Sequence, residues 1–462
     1  MTIRETVRSW FYNLLDLNVT DSVTRERMER LADLRDYYDG THRKQLRVKP
    51  GKFDDNLTTN LVQLIIDKSV SALVGDPSDG HGLTWTFPSE EGEGTPKQIE
   101  WLNGIWEANQ REIFLHKNAL QGAESGIPAI KIVPDGAGNF HLVNINPLLL
   151  TVNVDEQDAD KVTSYEIRYI VTENKKQVVY KEVTAPNGLT WTVETFIQRG
   201  GNSLTAAGPA VLWNYPFPPI LVWQNLPAMD SPYGRSDVEG ILRLQDRLNF
   251  VVSNISKIVR LYAHPNRYGR NITAQLEGGE IKMGPDDMPL FQGEGEIVQM
   301  PPVSDLPAAM EFEKDLRQLM FTIAREVDVS VFKDQVGAIT NMGLRMMYKD
   351  TLEKLGTKRM LYGAAYQELN RRLLALNGYE PETCIINWPD PLPVNEVEEI
   401  AGLEADMRMQ IVSRQTAQEA RGYDPEQETE RMSSEKATGD NAGAVLLRDF
   451  FNRGKPQGEQ NG

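Results

Sequence analysis

The feature that most constrains the fold is one long helix marked out between Pro232 and Pro265. Ser236 and Glu239 have the spacing of a capping box, in which each side chain satisfies a backbone amide at a helix start. Pro265 ends the helix, because its ring disfavours helical geometry at the preceding residue and removes a hydrogen-bond donor. The apolar residues in between recur every three or four positions and are Ile241, Leu244, Leu248, Val251, Ile255, Ile258 and Tyr262. We therefore predict a rod of about 40 Å with one apolar stripe.

Catalytic motifs are missing from this rod and from the rest of the sequence. The phosphate-binding GxxxxGK[ST] loop, the GxSxG nucleophile elbow and the HExxH zinc motif are all absent. The five histidines have no metal-binding spacing. The acidic run at residues 155–160 lacks the spacing of a calcium-binding loop, and we interpret it as a turn between strands. The sequence therefore predicts no enzymatic activity, no cofactor and no metal site.

The segments before the rod predict a mixture of helix and antiparallel sheet. Turn signals such as Asp135-Gly136 and Asn187-Gly188 separate the strands, as hairpins require. Helices are predicted at residues 24–36, 60–73 and 96–122, and strands at 130–133, 141–145, 148–154, 164–172, 177–183 and 189–198. The fold class is accordingly α+β and mainly helical.

The segments after the rod predict a β excursion and then more helices. Residues 264–305 contain many Gly and Pro residues and short strands at 272–274, 280–282 and 296–300. A returning helix begins near Pro307 and has one apolar face. A loop at 328–341, a long helix at 342–377, a strand at 379–388 and short helices after Asn395 and Ser413 follow. Cys384, the only cysteine, is expected to be buried.

Short motifs on both sides of the rod's start carry a family resemblance. They are Asn225 at the end of a strand, Gly234-Arg235-Ser236-Asp237, Leu244-Gln245-Asp246 and Ala263-His264-Pro265. Tyr37-Tyr38-Asp39-Gly40, Asn60-Leu61-Val62 and Val74-Gly75-Asp76-Pro77 match the family nearer the N-terminus. Over about residues 30 to 420 the chain resembles the portal proteins of tailed bacteriophages, in particular the Gp6-like siphophage family. The resemblance implies a DNA conduit without enzymatic activity, a ring of usually twelve subunits at one vertex of the head.

The resemblance also implies a division of the chain into named regions around a long helical hairpin. These regions are a wing at 1–235, an outgoing stem helix at 236–263, a clip at 264–305, a returning stem helix at 306–327, a tunnel loop at 328–341, a tunnel helix with the rest of the wing at 342–394, a crown at 395–422 and a tail expected to be disordered at 423–462.

The tunnel loop is where the family meets the DNA. By resemblance, the residues facing the channel are Phe332, Lys333, Asp334, Gln335 and Val336. The family often has Ser-Gly before the following helix, whereas this chain has Asn341-Met342-Gly343. Without the resemblance, this segment is an ordinary helix–helix connection. The apolar stripe from Ile241 to Ile258 is expected to pack against the returning helix and a neighbouring subunit.

The implied partners are other copies of the chain, double-stranded DNA, a terminase that hydrolyses ATP, a head-completion adaptor, and the major capsid and scaffolding proteins. A net charge of −17 is unusual for a protein that binds phosphates tightly, but it suits a wall past which DNA slides. Acidic surfaces also simply keep proteins soluble. No apolar run is long enough to span a membrane. We expect the protein in the virion and, during assembly, in the host cytoplasm. The alternatives are a virion collar or minor head protein and an acidic soluble enzyme.

Overall fold

The structure is a computed structural model of the chain. It describes residues 22–43, 45–48, 53–75, 82–88, 96–136, 138–173, 176–198, 204–263, 267–270, 296–299, 306–332, 340–392 and 396–421, together with most of 423–432. The described residues divide into two compact units. One lies within residues 1–336 and 346–392, and the other within 337–345 and 393–462. The mixture of helix and sheet expected from the sequence is confirmed.

Four helices precede the sheets. They are α1 (Ser22–Tyr38), α2 (Leu61–Val74), α3 (Lys97–Ala108) and α4 (Arg111–Ser125). Asn60 caps α2, because its side chain accepts a hydrogen bond from the backbone amide of Gln63. The prediction of one helix over 96–122 was wrong, since Gln110 takes the left-handed conformation with φ of 53° and separates α3 from α4.

The strands form several antiparallel sheets, and the hairpin predictions between 130 and 198 are confirmed. The strands are β1 (Thr84–Thr86), β2 (Ala129–Pro134), β3 (Phe140–Asn144), β4 (Leu150–Val154), β5 (Val162–Glu173), β6 (Lys176–Asn187), β7 (Thr190–Gln198), β8 (Thr205–Ala206), β9 (Val211–Trp213) and β10 (Ile220–Val222). One sheet has the order β4-β5-β6-β7-β8, with β9 also paired to β7, and a smaller one has the order β10-β2-β3.

The long helical hairpin begins with a 3-10 turn at Glu239–Ile241, which leads into α5 (Leu242–Ala263). After α5, strand β11 (Arg267–Arg270) pairs with β12 (Glu296–Gln299), and α6 (Leu306–Ala324) returns. The predicted strands at 272–274 and 280–282 lie outside the described residues. The predicted capping box does not form: the Ser236 hydroxyl accepts from the amide of Val238, and the Glu239 carboxylate pairs with Arg30. The helix therefore starts a turn later than the sequence indicated.

Two helices replace the single one predicted at 342–377. They are α7 (Asn341–Met347) and α8 (Lys349–Leu376), separated by a turn at Tyr348. Strand β13 (Ile385–Asn387) is shorter than the predicted strand at 379–388 and pairs with β1. Helices α9 (Glu396–Arg408) and α10 (Arg414–Ala420) follow where the sequence predicted two short helices, and Ser413 caps the second. The predicted tail at 423–462 lies largely outside the described residues.

The main hydrophobic core joins the first four helices to α5, α6 and α8. Trp223, Tyr362 and Tyr366 meet edge to face at its centre, with ring centroids 5.6 to 6.0 Å apart. Cys384 is buried in this core, as expected from the sequence. Helix α8 therefore runs through the interior beside the start of the hairpin and beside its end.

Candidate functional site

The structure describes only the beginning of the predicted tunnel loop. Phe332 is the last residue of a 3-10 turn at Val329–Phe332, and Lys333, Asp334, Gln335 and Val336 lie outside the described residues. The candidate site is therefore built from the segment that leads into this loop. We call residues 324–330 the loop root.

Three carbonyls at the start of the loop root have a partner from another helix. Lys354 Nζ donates to the carbonyl of Ala324, Thr351 Oγ1 to that of Arg325, and Lys68 Nζ to that of Val327, each at 2.9 Å. The last carbonyls of a helix have no partner within the helix, and cations are favourable there. These three side chains therefore fix the end of α6 and the direction in which the chain leaves it.

Asp328 completes the loop root. Arg317 on α6 grips its carboxylate through Nε at 2.5 Å and Nη2 at 3.1 Å, and Ser330 donates from its amide and its hydroxyl. Burial alone would raise the pKa of Asp328, but these donors outweigh it and lower the pKa to about 2. The carboxylate is therefore charged at physiological pH and holds the first turn of the loop against α6.

The start of the hairpin is anchored by a second carboxylate, Asp237. Lys358 Nζ donates to its Oδ2 at 2.8 Å and to the hydroxyl of Ser69 at 3.1 Å. Asn225 Nδ2 donates to the other oxygen at 3.0 Å, and Tyr362 donates to Asn225 Oδ1 at 3.0 Å. The side chains of Asp237 and Lys358 have no exposed surface. Because a buried charge is tolerated only with partners of this kind, the network fixes the chain entering α5.

The end of the hairpin carries the matching pair. Glu326, two residues after α6, accepts from Lys354 Nζ at 2.5 Å, and both side chains are at most 3% exposed. Lys354 and Lys358 are four residues apart, so they lie on the same face of α8 one turn apart. Helix α8 thus attaches to both ends of the hairpin through two buried ammonium groups.

Two glycines allow the backbone before α5 to approach α4 closely. A Cβ on Gly234 would lie 2.5 Å from the carbonyl oxygen of Gly126, and a Cβ on Gly126 would lie 2.6 Å from that of Gly234. Gly126 also has φ of +87°, which only glycine adopts freely. This contact gives Gly234, one of the residues that carry the resemblance, a physical role.

Most of the predicted stem residues on α5 are packed against the core of their own chain. Ile241, Leu248 and Val251 are buried in the main core, and Leu244 and Ile255 are partly buried against it. Ile258 is half-buried. The exposed apolar residues of the hairpin lie mainly on α6, where Phe312, Leu319 and Ile323 are 43%, 45% and 47% exposed. That face was not predicted from the sequence.

A polar stripe on α5 was also missed. Gln245, Asn249 and Ser253 are at most 1% exposed, and all three bind the backbone of residues 57–61. Near the end of the helix, Arg260 pairs with Asp55 through two hydrogen bonds of 2.8 and 2.6 Å. The sequence signal was the four-residue spacing of polar side chains between apolar ones.

The basic residues of α8 are largely used within the chain. Lys354 and Lys358 are buried, Arg359 donates to backbone carbonyls, and both Arg371 and Arg372 pair with Glu368. Elsewhere in the described residues, no cluster of His, Cys, Asp and Glu could hold a metal ion. No helix in the described part of the chain is long and apolar enough to span a membrane. The arrangement holds helices in place.

A family model covers this part of the chain. Residues 224–442, a little under half of the sequence, match the family described as phage portal protein, SPP1 Gp6-like. The matched stretch contains Asn225, Asp237, the hairpin, the loop root and α8. The family resemblance drawn from the sequence is confirmed over these residues.

The fold is also similar to chains of solved gene transfer agent (GTA) particles. One is from the virion of a native particle, with 16% identity and a TM-score of 0.44, covering 82% of this chain and 96% of that chain. Two others are from the neck of an empty particle computed with C6 symmetry and the neck of a native particle computed with C12 symmetry. Both have 14% identity and a TM-score of 0.42 over 79% of this chain, and cover 88% and 91% of those chains. The chain matches none of the curated proteins.

Proposed function

We propose that this chain, whose residues 224–442 match the phage portal family, is a structural subunit of a ring-shaped portal at one vertex of a viral capsid. The observation that carries the proposal is that the match spans the helical hairpin, both of its buried anchors and the loop root. In this proposal α5 and α6 of about twelve subunits surround a channel through which double-stranded DNA enters and leaves. A separate terminase supplies the ATP hydrolysis and is later replaced by a head-completion adaptor.

The anchors support a mechanical role for the hairpin. A channel wall has to keep its shape while DNA is pushed through, and Lys354 and Lys358 tie both ends of the hairpin to one buried helix. Removing one partner of a buried ion pair leaves an uncompensated charge in the interior, so the pair of Lys358 and Asp237 in particular resists being pulled apart. The loop root then gives the DNA-facing residues 332–336 a rigid starting point.

The charges of the chain also support a channel through which DNA passes, and not a site that binds DNA tightly. The net charge is −17, and the basic residues of α8 are largely paired with carboxylates and carbonyls of the same chain. Each lysine or arginine that neutralises a phosphate adds to affinity, so a wall with few such contacts lets the duplex slide.

The apolar face of α6 is the surface we assign to the neighbouring subunit. The stripe on α5 is already covered by its own chain, whereas Phe312, Leu319 and Ile323 leave apolar area exposed to solvent. Apolar side chains exposed along one face of a helix suit an interface with another subunit.

Electron microscopy of the purified protein tests the proposal, and rings with a central hole are the expected result. Leu319→Glu together with Ile323→Glu should convert the rings to monomers, because two carboxylates would have to be buried at the interface. The variant monomer should remain folded, with a far-UV circular dichroism spectrum equal to that of wild type, since both sites are exposed. Gln318→Glu, an exposed position on the same helix, serves as the control and should leave rings intact. A wild-type protein that stays monomeric at high concentration would overturn the assignment.

The loop is tested separately. Phe332→Ala together with Lys333→Ala should leave ring assembly unchanged but reduce the amount of DNA packaged or retained in particles. The reason is that these residues are proposed to touch the DNA and not a neighbouring subunit. Packaging and retention equal to wild type would refute the loop assignment while leaving the ring proposal intact.

A further inference from the structure

A segment without regular secondary structure, residues 53–60, runs antiparallel along α5 and is held by the polar stripe of that helix. Ser253 accepts from the amide of Leu57 at 2.9 Å and Asn249 Oδ1 from that of Thr59 at 3.0 Å. Gln245 Oε1 accepts from the amide of Leu61 at 3.2 Å. Successive turns of the helix thus bind every second residue of the segment. We call residues 53–61 the strap.

His42 is attached to the same stripe. Its Nδ1 lies 2.8 Å from Asn249 Nδ2, and its Nε2 lies 3.0 Å from the carbonyl oxygen of Tyr37. The histidine therefore links the end of α1 to the middle of α5 through hydrogen bonds from both ring nitrogens. Flipping the ring would lose both bonds, so the contacts define its orientation.

The donor and the acceptor in each of these hydrogen bonds can be assigned, because the backbone amide of Thr59 can only donate and the carbonyl of Tyr37 can only accept. The amide of Thr59 is a donor, so the Asn249 atom that faces it must be the oxygen, which also accepts from the Thr59 hydroxyl and from Gln245 Nε2. The amide nitrogen of Asn249 is then the atom that faces His42 Nδ1. His42 must accept at Nδ1 and donate from Nε2 to the carbonyl of Tyr37. Only the neutral imidazole with its proton on Nε2 satisfies both.

We propose that His42 is a proton-sensitive clasp that holds the strap and the end of α1 on α5. A proton on Nδ1 would place an N–H group against the amide donor of Asn249. Asn249 could turn its oxygen toward His42 only by giving up Thr59 and Gln245. Protonation therefore loosens the clasp whichever way the side chains respond. Imidazole groups in proteins change charge between about pH 5 and 8, so the clasp is compared at the two ends of that range.

The charged groups on the elements around the clasp have partners other than His42. On α1 and the following segment, Asp33 and Arg43 lie 3.5 Å apart, and on α5 Asp246 accepts from Gln45 and from the hydroxyl of Tyr37. The strap faces His42 with the uncharged Thr59. This inference does not depend on the proposed portal function.

Hydrogen exchange of the full-length chain, measured between pH 8 and pH 5, tests the clasp. Protection factors, corrected for the intrinsic exchange rate at each pH, should fall about tenfold at pH 5 for residues 57–61 and for the facing part of α5. Strands β5 and β6, remote in sequence and not part of the clasp, should show no such change. Equal protection of the strap at both pH values would overturn the proposal.

Two variants distinguish the effect of His42 protonation from other effects of low pH on hydrogen exchange. Asn249→Asp places a carboxylate oxygen against Nδ1, so protonated His42 becomes the preferred partner and the strap should be better protected at pH 5 than at pH 8. His42→Asn keeps an acceptor near the position of Nδ1 but cannot titrate, so its protection should not depend on pH in this range. A wild-type fall that both variants reproduce would show that the pH effect lies elsewhere and would also overturn the proposal.

Discussion

Asp237 before α5 and Glu326 after α6 are both bound by lysines of α8 that lie one turn apart. The pKa values of the two carboxyl groups nevertheless shift in opposite directions. Burial would raise the pKa of Asp237, but Lys358, Lys354 and the hydroxyl of Ser69 outweigh it, and the pKa lies below its usual value. For Glu326, burial raises the pKa by more than Lys354 lowers it. Asp237 also has the amide of Asn225 as a donor. The donors and ammonium groups at Asp237 outweigh its burial, whereas those at Glu326 do not.

The largest effect is expected from removing the charge at the first of these sites. Asp237→Asn leaves the ammonium group of Lys358 buried without its counter-ion, and we expect a loss of about 3–5 kcal/mol in the free energy of unfolding. Chemical denaturation followed by circular dichroism measures it. Because the folded pKa is below the unfolded one, the stabilisation is present above the ordinary pKa of aspartate. It is lost only as the pH falls through the lower folded value, so the carboxylate itself gives this deficit no pH dependence from about pH 5 to 8.

Two further variants make this result specific. Asp350→Asn removes an exposed carboxylate in the first turn of α8 and should cost no more than about 0.5 kcal/mol. Asp237→Asn combined with Lys358→Met removes both charges and should recover part of the stability lost in the single variant. If the single variant is as mild as Asp350→Asn, the anchoring role of Asp237 is wrong.

The sequence predicts elements well where one local pattern decides them. The apolar spacing from Ile241 to Val251 gives the inner face of α5 correctly, and the Asn187-Gly188 turn gives the β6–β7 hairpin. The apolar spacing of the sequence does not show where a helix breaks within a continuous helical pattern. The left-handed Gln110 and the turn at Tyr348 interrupt sequences whose apolar periodicity continues on both sides.

The candidate site was harder to predict because its members are polar residues that long-range contacts bury. Lys354 and Lys358 look like part of a solvated basic helix until Glu326 and Asp237 are brought to them from other parts of the chain. Asn225 and Asp237 were singled out by resemblance, but no local pattern shows that they bind each other. Their hydrogen bond joins residues on separate turns of an irregular segment, where no periodicity applies.

A smaller loss of stability is expected from a change at Glu326 than from the change at Asp237. Glu326→Gln keeps an oxygen for Lys354 Nζ, which also retains the carbonyl of Ala324, so the cost at pH 7 should be about 1 kcal/mol or less. Glu353→Gln, an exposed glutamate on α8, is the matched control.

The difference in unfolding free energy between Glu326→Gln and wild type should change with pH in the direction opposite to that expected from a favourable ion pair. The folded pKa of Glu326 is raised, so between the unfolded value of about 4.3 and the folded value the native state binds more protons than the unfolded state. Wild type therefore loses stability from this group as the pH rises through that window, whereas the glutamine does not titrate. Unfolding free energies measured from pH 4 to 7 should show the variant gaining on wild type as the pH rises. If it falls behind instead, Lys354 holds Glu326 charged as firmly as Lys358 holds Asp237, and the two ends of the hairpin are anchored alike.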